Sequence, residues 1–107
     1  MQIATLATFT VILRPPVERE GRTRRWSGHC LDLDLGVSAG SASEVRMRLA
    51  TSIAACLADR PRERRGPSDP ALWDVARASP IVTRQTVETD RGLIEVRYVQ
   101  PPEAACA

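Results

Sequence analysis

The stretch from Ser27 to Leu57 most constrains what this chain can fold into, because it joins an alternating run, a glycine-bracketed turn and a capped helix without interruption. From Cys30 to Leu35 polar and apolar residues alternate strictly, so a strand here sets Leu31, Leu33 and Leu35 on one face and Asp32 and Asp34 on the other. Gly36 and Gly40 bracket Val37 to Ala39, which leaves room for a tight turn or a very short strand. Ser41-Ala42-Ser43-Glu44 has the form of a capping box, with the Glu44 amide donating to the Ser41 hydroxyl and the Glu44 carboxylate reaching back to Ser41. A helix therefore starts near Ala42. Val45, Leu49, Ile53 and Leu57 recur every four residues, and Ala42, Ser52 and Cys56 widen that stripe, so the helix lies on a sheet.

The flanking segments supply the rest of the sheet. Ile3 to Leu13 is uncharged and rich in β-branched residues, which favours a strand ended by Pro15-Pro16. Arg14 to Arg25 is charged and contains Gly21, so it reads as the exposed connection of a hairpin whose second strand starts near Trp26. After the helix, residues 59–70 form an exposed loop that is rich in arginine and proline. At its end Ser68-Asp69-Pro70 opens a short second helix of two turns at most, with Asp69 as cap and Pro70 at the first helical position. Ile81 to Glu88 and Leu93 to Val99 are two further strands joined by the four-residue loop Thr89 to Gly92, and the tail 101–107 is expected to fray. The expected class is α+β, a single domain over residues 1–107: an antiparallel sheet carrying one main helix, with a short second helix and a C-terminal hairpin.

Composition narrows the functional classes. No run of 18 or more apolar residues exists, and Met1-Gln2-Ile3 lacks the positive region of a signal peptide, so the chain is expected to be cytoplasmic and independent of membranes. Cys30, Cys56 and Cys106 are odd in number and widely spaced, which suggests neither a disulfide framework nor a zinc site. The fifteen basic residues are all arginine, a pattern that coding bias explains, and the net charge of +2 gives little support to nucleic-acid binding. No glycine-rich phosphate loop, Ser/His/Asp set or cofactor motif is present, so neither an enzyme nor a cofactor is expected.

The central stretch resembles the HicB family, the antitoxins of HicA/HicB toxin–antitoxin pairs. Cys30-Leu31-Asp32-Leu33-Asp34-Leu35 is similar to the family's strand of Cys with alternating Leu and acidic residues, Gly40-Ser41 to its turn and cap, and Glu44 to the acidic position at its helix start, with Trp26 a few residues earlier. Two features depart from the pattern: Ser43-Glu44-Val45 stands where the family has two acidic residues and Ala, and the linker after the helix is longer and richer in arginine. The resemblance implies a β-β-β-α-β core related to a partial RNase H-like sheet that neutralises a small, basic, RNA-cleaving toxin by protein–protein contact, and that forms a homodimer or higher homo-oligomer. Residues 59–107 are too short and proline-broken for the DNA-binding domain that many members carry, so direct DNA binding is not expected.

Asp32 and Asp34 are the candidate partner-binding residues, since two carboxylates pointing one way from a strand suit a basic face. Alternating aspartates also simply solubilise the outer face of a strand. With a further acid they could hold a metal ion, as in a degenerate RNase H-like nuclease, and a scaffold or ligand-binding domain of the same fold is a third reading. His29 and Cys30 are adjacent, so in a strand their side chains diverge and cannot form a nucleophile and base pair. The arginines at 60, 62, 64 and 65 form a basic cluster diluted by Asp59 and Glu63, which reads as a solvated loop.

Overall fold

A computed structural model describes residues 5–16, 18–19, 22–23, 25–58, 69–89 and 92–102. Among the described residues seven strands and two helices follow in the order β1 (Thr5–Arg14), β2 (Glu18–Arg19), β3 (Arg22–Thr23), β4 (Trp26–Cys30), β5 (Leu35–Ala39), α1 (Ala42–Ala58), α2 (Pro70–Ala78), β6 (Ile81–Thr89) and β7 (Gly92–Val99). Five strands form one sheet in the order β5-β4-β1-β7-β6, and β2 and β3 pair separately between β1 and β4. The class is α+β. The sheet is mixed, not wholly antiparallel, because β7 runs parallel to β1 at its centre while the other pairings are antiparallel.

Alternation along β1 explains that central place. Phe9, Val11 and Leu13 are buried on one face and Ile12 on the other, and a strand that is apolar on both faces belongs between neighbours and under cover. The larger layer holds α1. Its stripe Val45, Leu49, Ile53 and Leu57 is buried as expected, against Phe9, Val11, Leu13, Cys30, Ile94, Val96 and Tyr98. Burying four such side chains contributes roughly 2 kcal/mol each. The Glu44 amide donates to Ser41 Oγ at 3.2 Å, which satisfies one open donor of the first turn. The fully buried Tyr98 ring ends in a hydroxyl that donates to Gln85 Oε1 at 2.7 Å, and burial pushes that phenol up to about 12.

The second layer is smaller. The nine-residue helix α2 begins at Pro70, so the expected loop 59–70 ends inside a helix, and residues 59–68 lie outside the described set. The Ala71 amide donates to the Asp69 side chain at 2.9 Å, and proline at the first helical position gives up no hydrogen bond. Ala76 packs on Ile12, Leu31 and Val99, with Leu72, Trp73 and Val75 half-buried around them. Helices thus cover both faces of the sheet, and α2 covers only its centre.

Candidate functional site

The Cys30–Leu35 run is the principal correction to the sequence reading. Only Cys30 ends β4 and only Leu35 begins β5, and Leu31 to Asp34 form the turn between them. The two leucines do not share a face. Leu31 is buried under α2 with Ile12 and Val99, whereas Leu33 is buried in the α1 layer. A period of two therefore arises here from a turn that sends alternate side chains to opposite sides of the sheet end.

The two aspartates also part company. Where β4 leaves the ladder, the Leu31 amide donates to the Thr10 carbonyl at 2.9 Å, and the Thr10 amide donates to Asp32 Oδ1 at 2.8 Å. The carboxylate takes the place of the next strand carbonyl, so Asp32 holds the turn against β1. Asp34 is exposed and sits at φ 53°, the left-handed region that aspartate tolerates better than most side chains. Its Oδ1 lies 2.8 Å from His29 Nε2. An ionised carboxylate can only accept, so that ring nitrogen carries the hydrogen and donates.

Burial pushes the Asp32 carboxyl above its ordinary 3.8, outweighing the hydrogen bonds from the Thr10 and Asp32 amides that favour the charged form. A raised acid pKa means the folded state binds the proton better than the unfolded one. The contribution of the group is complete below 3.8 and is lost as pH rises through the raised value. Urea unfolding of the wild type and of Asp32→Asn, which keeps an acceptor but does not titrate, should show the wild type losing stability relative to the variant as pH climbs from below 3.8. The difference levels off once pH has passed the raised value. A difference that moved in the wild type's favour with rising pH would show that the hydrogen bonds outweigh burial.

Beside this turn, on the part of its face that α2 does not cover, β4 and β5 form a shallow depression of about 370 Å³ lined by Arg14, Ser27, His29, Gly36 and Ser38 among others. Gly36 is exposed there and has only the Gly28 carbonyl near the position of a side chain, so the floor is flat backbone. Cys30 points the other way into the α1 layer, where burial pushes its thiol up to about 11 and keeps it protonated at neutral pH. His29 and Cys30 therefore face opposite sides of β4, as the strand reading requires. Among the described residues no three His, Cys, Asp or Glu side chains cluster so as to hold a metal ion.

Sequence reasoning singled out Asp32 and Asp34 but missed His29 as the partner of Asp34. The aspartates themselves point to a turn, since Asp is depleted in strands and enriched in turns, but no local pattern marks the His29 contact. No protein-family model, curated protein or solved structure matches this chain.

Proposed function

We propose that this chain is a HicB-like, non-catalytic binding module that docks a small, basic, RNA-cleaving protein and blocks its access to RNA. Connectivity carries the reading. Three antiparallel strands, β1, β4 and β5, lead into α1, and β7 then returns parallel beside β1. This is the β-β-β-α-β order that the motif resemblance of residues 26–57 implies, with α2 and β6 added before the closing strand. Asp34 is the contact residue, exposed on the turn beside the uncovered face, and Asp32 positions it by holding the turn to Thr10.

Co-expression with neighbouring small open reading frames tests the reading. A basic product that arrests growth alone should be silenced by this chain and co-elute with it on a sizing column. Asp34→Arg should weaken that complex roughly tenfold, because it sets a like charge against a basic face, with the circular dichroism spectrum unchanged. Asp34→Glu should keep it. No toxic neighbour and a chain that elutes alone would overturn the proposal, as would metal-dependent RNA cleavage abolished by Asp34→Asn.

A further inference from the structure

Strand β6 closes one side of the sheet, and among the described residues no strand pairs with its outer edge. It spans nine residues against five for β5 at the opposite edge. Its pairing with β7 is irregular only between Ile81 and Thr83, which leaves Thr83 to Thr89 as a regular strand. Soluble proteins usually shorten, bulge or cover an edge of this length. Ile81 and Val82, at its start, are 43% and 48% exposed.

The charges on this edge are self-complementary about one two-fold axis. Gln85 and Val87 turn toward the α1 layer, and Arg84, Thr86 and Glu88 are exposed on the other face. Within one chain Arg84 and Glu88 stand roughly 13 Å apart along the strand, too far to pair. Arg84 Nε instead lies 3.8 Å from Glu95 Oε1, a carboxylate oxygen that Arg97 Nε approaches at 3.4 Å. Two β6 edges paired antiparallel about a two-fold axis at Thr86 would set Arg84 of each copy directly opposite Glu88 of the other. An axis at Arg84 or Glu88 sets like charges face to face, and one at Gln85 or Val87 leaves Glu88 opposite Val82 or Thr86. Only the Thr86 axis brings Arg84 and Glu88 together.

We propose that the chain forms a two-fold homodimer through antiparallel β6–β6 pairing centred on Thr86, with two Arg84–Glu88 pairs across the interface and one continuous sheet through both copies. This gives a surface to the self-association that the family resemblance implies, and it does not depend on toxin binding. Each Glu95 sits between Arg84 and Arg97 of its own chain, and the second copy brings Glu88 to the outer side of Arg84, so charges alternate across the new edge.

Light scattering coupled to size exclusion of the full chain tests it. The wild type should run as a dimer, and Glu88→Arg and Arg84→Glu should each raise the dimer dissociation constant about tenfold or more, since each places like charges opposite one another twice. Mixing the two variants should restore a dimer containing one copy of each, because their charges are then complementary at both pairs. Both positions are exposed, so thermal unfolding by circular dichroism should remain cooperative. A wild type that stays monomeric at its highest soluble concentration, a dimer unmoved by either reversal, or a mixture that fails to associate would each overturn the proposal.

Discussion

Gly28→Val should unfold the protein or cost about 3 kcal/mol or more in a denaturant titration, a large share of a small domain's stability. A β-carbon at Gly28 would stand 2.6 Å from Leu49 Cδ1 and 2.7 Å from Val45 Cγ1, closer than real side-chain contacts allow. Here β4 and α1 approach so closely that only a hydrogen fits between them. The Leu49 tip can rotate away, but a helical valine has essentially one rotamer and cannot. Removing the obstacle separates this steric cause from a backbone effect. Gly28→Ala should be destabilising, and combining it with Val45→Ala should cost clearly less than the sum of the two single changes. Strict additivity would mean that the close approach is not what requires glycine.

Leu33→Asp is expected to be equally severe, on the order of 4 kcal/mol or more, because it places an unpaired charge in the α1 layer where Leu33 is 4% exposed. Circular dichroism should show loss of the cooperative transition. The same substitution at the half-buried Leu35 should be milder, since that side chain lies at the margin of the layer. A well-folded Leu33→Asp protein would remove this residue from the core.

The contrast between α1 and the turn before it shows what local sequence can report. The Ser41 cap and the four-residue spacing from Val45 to Leu57 are written within the helix itself, and both appear where they were read. The Cys30–Leu35 alternation was equally clear and pointed to the wrong element. Periodicity records that alternate residues differ in environment, not that the buried ones share a face, and Leu31 and Leu33 enter different layers. The terminal hairpin was legible to within a residue, as β6 ends at Thr89 and β7 starts at Gly92. That β7 inserts beside β1 was not, because strand partners far apart in sequence leave no local mark. The candidate site divides in the same way. The aspartates were visible as residues, but the Thr10 amide that engages one and the imidazole that engages the other are set by the folded backbone.

The place of β7 also governs when this fold can exist. As the chain leaves the ribosome, β1, β4, β5 and α1 are all made while the neighbour that completes the centre of their sheet is still missing. Phe9, Val11 and Leu13 must then wait for Ile94, Val96 and Tyr98 to fill the α1 layer beside them, and the open side of β1 is available to any extended peptide in the meantime. The segment with the most recognisable sequence therefore lacks, on its own, the strand that completes the layer under α1. Strand β1 gains its second neighbour only once β7 has been made.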